Sequence, residues 1–187
     1  MKIVNQQFTQ FISLMQTASR FYHANPRNPP KNMDISSQDV QTLLESLNRF
    51  QVKYLLVGGM AGMVHGHTRT TFDLDLWIRN DTENHQSLKS VLKENKVSGA
   101  DFLPKQLVFG YTSVIFGENS LELDLGHELK SKLDFDECYT HSIEASYDEV
   151  PFRVIHLKDL IIEKRATGRL KDLMDLEELE KIQKRNS

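Results

Sequence analysis

The chain has 187 residues, a length that suits one domain with or without an appendage. Its apolar content of 39% is enough for a packed core, which excludes a wholly disordered chain. The net charge is −3, from 23 basic and 26 acidic residues, so bulk charge argues neither for nor against a nucleic-acid partner. Cys138 is the only cysteine, which excludes an internal disulfide and a cysteine-based zinc cage. We therefore expect any metal ligands to be oxygens.

The amino-terminal segment does not resemble a signal peptide, and no apolar run is long enough to span a bilayer. We therefore expect a cytoplasmic protein with no membrane partner. Residues 4–22 place apolar side chains near helical spacing, and a proline-rich stretch then ends this predicted helix. We interpret residues 1–35 as an extension that consists of a helix and a tether. This extension precedes one domain over residues 36–187. The helix could dock on a partner protein, on a second copy of the chain, or on its own domain.

The rest of the chain mixes helical and strand patterns. Helices are predicted at about 37–50, 59–66, 82–95, 157–168 and 171–184, and strands at about 53–58, 71–79, 106–116, 120–126, 141–147 and 151–155. Gly168 separates the last two helices, because glycine commonly ends a helix. This order predicts an α+β domain with a small mixed β-sheet flanked by helices.

Two aspartates one residue apart, Asp73 and Asp75, lie on the second predicted strand. Because a strand sends alternate side chains to opposite faces, both carboxylates leave one face, while Leu74 and Leu76 can enter the core. Adjacent carboxylates repel unless a cation lies between them, and Mg²⁺ or Mn²⁺ is the expected occupant. Taken alone, an Asp-x-Asp pattern also fits the polar face of a half-buried strand.

A third carboxylate usually completes such a metal site. The segment LELDLG offers Asp124 and, two residues earlier on the same strand face, Glu122. Either could complete the set, and Asp124 is favoured because leucines flank it as they flank Asp73 and Asp75. With two metal ions bound, one would hold the nucleotide phosphates and the other would polarise an attacking hydroxyl.

A glycine turn, Gly58-Gly59, follows the first predicted strand and precedes a short helix. Such a turn presents backbone N–H groups to an anion. A phosphate cradle and a carboxylate pair are therefore predicted on neighbouring elements, and this combination indicates phosphoryl or nucleotidyl transfer.

Lys164 interrupts an apolar helical stripe, because it follows Ile161 by three residues and Leu160 by four. If it points inward it needs a partner, and a triphosphate or a carboxylate would serve. Alternatively, the side chain extends from the edge of the stripe to solvent.

Arg69 comes just before the aspartate strand. It could contact phosphate bidentately, or pair with Asp73, Asp75 or Asp172 and hold the site together.

Together these motifs resemble the signature of the DNA polymerase beta-like nucleotidyltransferase superfamily, and most closely its toxin-like AbiEii-type branch with its small relatives. The matching positions are Gly58, Gly59, Ala61, His65, Gly66, Arg69, Thr71, Asp73 and Asp75. The carboxyl-terminal stretch resembles the closing helices of that branch at Lys164, Arg169, Lys171, Asp172 and Asp175. The resemblance covers about residues 37–126 and 154–184. Many members of the superfamily carry serine where this chain has Gly59.

The resemblance implies a nucleotidyltransferase that moves a nucleoside monophosphate from an NTP such as ATP to a hydroxyl of an RNA, a protein or a small molecule. It also implies a place in a toxin–antitoxin system. The catalytic and metal-binding residues would be Asp73, Asp75 and Asp124, and the nucleotide-binding residues would be Gly58, Gly59, Arg69 and Lys164. The alternative function is a catalytically silent module of the same fold that regulates a partner in a toxin–antitoxin pair.

Overall fold

The computed structural model describes residues 33–103, 110–118 and 120–186. Its helices are α1 (Gln38–Arg49), α2 (Gly58–Val64), α3 (Thr82–Glu94), α4 (Phe135–Thr140), α5 (Leu157–Thr167) and α6 (Leu170–Arg185). Its strands are β1 (Tyr54–Leu56), β2 (Asp73–Ile78), β3 (Tyr111–Phe116), β4 (Leu121–Gly126), β5 (Ile143–Tyr147) and β6 (Val150–Val154). The predicted order of helices and strands is confirmed over these residues. The helix predicted at 4–22 lies outside the described residues.

The six strands form one mixed sheet in the order β3-β4-β2-β1-β6-β5. The pairs β1–β6 and β2–β4 are parallel, and the other neighbouring pairs are antiparallel. Helix α1 packs on α3 and β6, while α2 packs on β2 and α5, and α5 packs on α6. The predicted α+β class, with helices flanking a small mixed sheet, is confirmed. Among the described helices, none is long and apolar enough to cross a membrane.

The core fixes which faces of β2 and β4 point inward. Four leucines, two on each strand, are fully buried on one face of the sheet: Leu74, Leu76, Leu123 and Leu125. Because side chains alternate along a strand, the polar residues between these leucines leave the opposite face. The pairing of β2 with β4 therefore has the register that keeps every leucine inside and every carboxylate outside.

Helix α4 was not predicted from the sequence. It has six residues, and Cys138 is the one that is fully buried. Its amino terminus is capped by Asp134, whose side chain accepts a hydrogen bond from the backbone N–H of Glu137. A helix this short has no repeating apolar stripe that periodicity could detect.

His65 joins the end of α2 to the connection between β6 and α5, because its Nε2–H donates to the backbone oxygen of Ile155 over 2.8 Å. His65 is thus a hydrogen-bonding residue at the end of this short helix. Burial, chiefly, lowers the pKa of His65 to about 4. The neutral ring is therefore the form that holds α2, and with it the glycine turn, against the sheet.

Replacing His65 with glutamine keeps a side-chain donor and removes the titration. As the pH falls from 6.5 to 4, the unfolded chain takes up this proton before the folded chain does. The wild-type protein should therefore lose stability relative to His65→Gln in that window, by on the order of 2 kcal/mol. Above about pH 7 the difference should be constant. Urea unfolding at a series of pH values measures the free energy of unfolding of both proteins. The same pH dependence for both proteins down to pH 4 would contradict the lowered pKa of His65.

Candidate functional site

Three carboxylates meet where β2 and β4 run side by side. Asp75 lies directly opposite Asp124 in the parallel register. Asp73 lies two residues before Asp75 on β2, on the same face of the sheet. One oxygen from each of the three lies within 4.8 Å of one oxygen from each of the others. Glu122, the other candidate for the third position, is exposed and does not belong to this group. The structure thus brings together the three aspartates that the sequence singled out.

The three carboxylates differ in how they are held. The hydroxyl of Thr71 donates a hydrogen bond to Asp73, and the hydroxyl of Ser113 on β3 donates one to Asp124. Asp75 accepts a hydrogen bond from the backbone N–H of Gly59. These donors orient the aspartates without neutralising them.

The charge at the centre of the cluster is not balanced by the protein. Burial raises the pKa of Asp75 to about 7, and repulsion by Asp73 and Asp124 adds to the effect. The hydrogen bond from Gly59 and the charge of Lys171 act in the opposite direction but are outweighed. A cation between the carboxylates would relieve this repulsion, and a set of oxygen ligands suits Mg²⁺ or Mn²⁺. The residues present therefore fit a divalent metal ion.

Gly58 allows the carboxylate of Asp75 to lie against the glycine turn. Its φ of +63° lies in the left-handed region that favours glycine, and a Cβ at this position would overlap the carboxylate of Asp75. Any other residue here would push Asp75 away from its position between Asp73 and Asp124. The turn and the carboxylate cluster are thus one unit rather than two adjacent features.

The surroundings of Gly59 leave no room for a side chain. A Cβ at Gly59 would lie 2.5 Å from Oγ1 of Thr71 and 3.0 Å from the Arg69 guanidinium. The space that a serine side chain would need is therefore filled by these two residues. Arg69 in turn pairs with Asp175, Nε to Oδ1 at 2.8 Å, and not with any of the partners considered from the sequence. Its predicted contact with phosphate stays a prediction.

Lys164 points inward, as one of the sequence readings predicted, and it is 4% exposed. Its Nζ donates to Asp172 over 3.1 Å and to Asp175 over 2.6 Å, so its partners are carboxylates. Arg169 binds the second oxygen of Asp172, as expected for residues three apart at a helix start. For Asp175, burial acts to raise the pKa, but hydrogen bonds from His67 and Lys164 outweigh it and lower the pKa to about 2.

A cavity of about 310 Å³ is lined both by residues of the aspartate cluster and by residues of this basic network. Asp75 and Asp124 line it, together with Gly58 and Tyr111. The remaining lining residues include three cations, Lys130, Lys164 and Arg169. Carboxylates that suit a metal ion and cations that suit phosphate thus share one cavity.

Glu163 and Lys130 are among the residues of this cavity that were not identified from the sequence. Glu163 is buried and accepts hydrogen bonds from the backbone N–H groups of Lys130 and Ser131 and from the Ser131 hydroxyl. It therefore holds the loop that brings Lys130 to the cavity. Glu163 follows Leu160 by three residues, so the spacing that pointed to Lys164 could also have identified Glu163. No local signal marks Lys130, because a contact distant in sequence positions it.

No protein-family model matches the chain, and no curated protein sequence matches it. Solved structures do match. The lincosamide antibiotic adenylyltransferase LnuA, in a lincomycin-bound crystal structure, is 16% identical over 81% of this chain and 99% of that chain, with a TM-score of 0.50. A candidate nucleotidyltransferase from Thermotoga maritima is 13% identical over 76% of this chain and 88% of that chain, but its TM-score of 0.48 is too low to support an argument.

The similarity to LnuA shows that the chain has the nucleotidyltransferase fold. At this level of identity the similarity concerns the fold alone. The chemistry of the site must be argued from its own residues.

Lys164→Met should reveal how far this lysine stabilises the basic network. The substitution leaves two buried carboxylates with one cation fewer, so we expect the free energy of unfolding to fall by about 3 kcal/mol. Lys181→Met is the matched control, because Lys181 pairs with Glu177 at the surface of α6 and its side chain is 55% exposed. That substitution should cost less than about 1 kcal/mol. Equal losses for the two variants, measured by urea unfolding, would contradict the inward pairing of Lys164.

Proposed function

We propose that the chain is a metal-dependent nucleotidyltransferase. It transfers a nucleoside monophosphate from an NTP such as ATP to a hydroxyl group and releases pyrophosphate. The observation that carries this proposal is the cluster of Asp73, Asp75 and Asp124, because Asp75 and Asp124 line a cavity that three cations also line. The nucleotidyltransferase fold makes this reaction class more probable than other uses of a carboxylate cluster.

Asp73, Asp75 and Asp124 are the residues that would hold Mg²⁺ or Mn²⁺. A bound divalent ion supplies charge for the phosphates and lowers the pKa of a hydroxyl that it contacts. Asp75 is the central ligand, since it faces Asp124 across the strand pair and follows Asp73 on the same face. Thr71 and Ser113 keep the outer two carboxylates oriented through their hydroxyl groups.

The triphosphate would lie in the cavity against Lys130, Lys164 and Arg169. Arg169 is more accessible to a phosphate than Lys164 is, because the Arg169 side chain is 60% exposed although it pairs with Asp172. Lys164 contributes positive charge at the cavity wall while it remains paired with its carboxylates. Gly58 and Gly59 form the turn that would lie beside the phosphates. Arg69 supports this turn, because its guanidinium lies next to Gly59.

The reaction forms one bond and breaks another at the α-phosphorus of the nucleotide. The acceptor oxygen bonds to the α-phosphorus, and the bond from that phosphorus to the bridging oxygen of the pyrophosphate breaks. Asp124 takes the proton of the acceptor hydroxyl, because its carboxylate lines the cavity in which the acceptor must lie. Lys130 and Arg169, which also line the cavity, stabilise the departing pyrophosphate.

The acceptor belongs to one of three classes: an RNA end, a protein hydroxyl or a small molecule. LnuA is an adenylyltransferase of lincosamide antibiotics, so a small hydroxylated molecule is the acceptor to test first. The sequence resemblance supports the proposed position in the small AbiEii-type branch and the toxin–antitoxin role. The apolar helical spacing of residues 4–22 supports the docking of this segment on an antitoxin or on a second copy of the chain.

A catalytically silent regulatory module is less well supported. Such a module has no use for three carboxylates that repel one another. Here the repulsion acts on a partly buried aspartate, Asp75, and is not cancelled by any cation that the structure describes near it. Retaining this arrangement has a cost in stability, and metal binding explains why the cost would be tolerated.

Asp124→Asn and Glu122→Gln together test the catalytic site. Both residues lie on β4 and point to the same face, but Asp124 alone belongs to the carboxylate cluster. We expect Asp124→Asn to lower nucleotidyl transfer by at least about 100-fold. Glu122→Gln should stay within a few-fold of wild type, because its carboxylate does not belong to the cluster.

The assay supplies NTPs labelled at the α-phosphate, Mg²⁺ and, in separate reactions, the small-molecule, RNA and protein fractions of a cell extract. Label should move to one fraction, and label placed at the γ-phosphate should not. Asp73→Asn/Asp75→Asn serves as the inactive control. Equal transfer by the Asp124→Asn and Glu122→Gln variants would show that this cluster does not perform the reaction.

A further inference from the structure

A second set of metal-ligating side chains lies where α4 meets the first turn of α5. Sγ of Cys138, Nε2 of His141 and a carboxylate oxygen of Asp159 all lie within 4.8 Å of one another. None of the three lines the cavity that contains Asp75 and Asp124. The proposed nucleotidyl transfer makes no use of this cluster.

Two of the three side chains come from one short segment of the chain. Cys138 and His141 are three residues apart at the end of α4, and Asp159 lies in the first turn of α5. Residues three apart on a helix share a face, so the end of α4 directs Cys138 and His141 to the same side. His156 borders the cluster, with its ring 5.8 Å from the ring of His141. Its Nδ1 accepts a hydrogen bond from the backbone N–H of Lys158, so we do not count it among the ligands.

The surroundings of the cluster favour a cation. Cys138 and Asp159 are buried, at 2% and 8% exposure. The thiol of Cys138 forms a hydrogen bond with Asp159, and Nε2 of His141 lies 2.5 Å from Oδ2 of the same carboxylate. Asp134 and Glu137 add negative charge around the thiol. The side chain of His141 is 51% exposed, which gives an ion a path to the buried ligands.

We propose that Cys138, His141 and Asp159 bind Zn²⁺. One sulfur, one imidazole nitrogen and one carboxylate oxygen form a ligand set that zinc accepts in tetrahedral sites, with the fourth position left to water. This proposed ligand set differs from the sequence expectation that metal ligands would be oxygens, because it includes a sulfur and a nitrogen. A single cysteine cannot form a cysteine cage, yet the fold adds nitrogen and oxygen ligands to it.

Bound zinc would join α4 to α5 through protein ligands on both sides. Helix α5 carries Glu163, which positions Lys130, and Lys164, which joins the basic network of α6. The ion would therefore fix the start of the helix that carries Lys164 and that positions Lys130 through Glu163. This predicts a structural role, in which zinc raises the thermal stability of the full chain.

Cobalt(II) is the probe that tests the site, because a thiolate bound to Co²⁺ gives a charge-transfer band that carboxylate ligands cannot produce. The full chain is titrated with Co²⁺ in excess Mg²⁺, which occupies the aspartate cluster. We expect the band to saturate at one equivalent and to disappear on addition of one equivalent of Zn²⁺. Absence of a thiolate band in the folded wild-type protein would overturn the proposal without any variant.

Matched variants identify the ligands. Cys138→Ser should lose the band, and His141→Ala or Asp159→Asn should weaken Co²⁺ binding by at least about tenfold. Asp136→Asn is the control for Asp159→Asn, because Asp136 lies on α4, is exposed and pairs with Arg79 instead. Asp73→Asn/Asp75→Asn should keep the full band, which separates this site from the proposed catalytic one. Binding unchanged in Cys138→Ser, or lost equally in Asp136→Asn, would contradict the assignment.

Discussion

The parallel pairing of β2 with β4 forces three carboxylates together, and the rest of the site is arranged around their charge. The register is held by four leucines on the other face of the sheet, each of which contributes roughly 1.5–3 kcal/mol when fully buried. A shift of the register by one residue would bury the carboxylates and expose the leucines. Core packing thus overcomes the repulsion between Asp75 and its neighbours, and it leaves a site that lacks positive charge.

The same chemical group lies in opposite surroundings at two places near the cavity. Asp75 is partly buried beside like charges, and its pKa is raised to about 7. Asp175 is buried among Lys164, Arg69 and His67, and its pKa is lowered to about 2. The aspartate cluster therefore needs a cation from outside, while internal carboxylates hold the cations of the basic network in place. A ligand that contains both a divalent metal ion and a polyphosphate matches this division.

The sequence predicted the elements that depend on local periodicity and the residues that depend on strand alternation. It identified Asp73, Asp75 and Asp124, because flanking leucines mark the face on which each carboxylate lies. It could not predict the partner of Arg69, since Asp175 is more than a hundred residues away in the chain. It also missed Lys130 and the cluster around Cys138, because only the folded chain brings these residues to their neighbours.

We propose that the carboxylate cluster binds divalent metal ions together with a nucleoside triphosphate. A crystal structure of the full chain with Mn²⁺ and a non-hydrolysable NTP analogue tests this most directly, because Mn²⁺ is located by its anomalous scattering. We expect an anomalous peak for a Mn²⁺ ion that Asp73, Asp75 and Asp124 coordinate, with the phosphates directed toward Lys130 and Arg169. A nucleotide bound elsewhere, or a carboxylate cluster without an anomalous peak at saturating Mn²⁺, would contradict it.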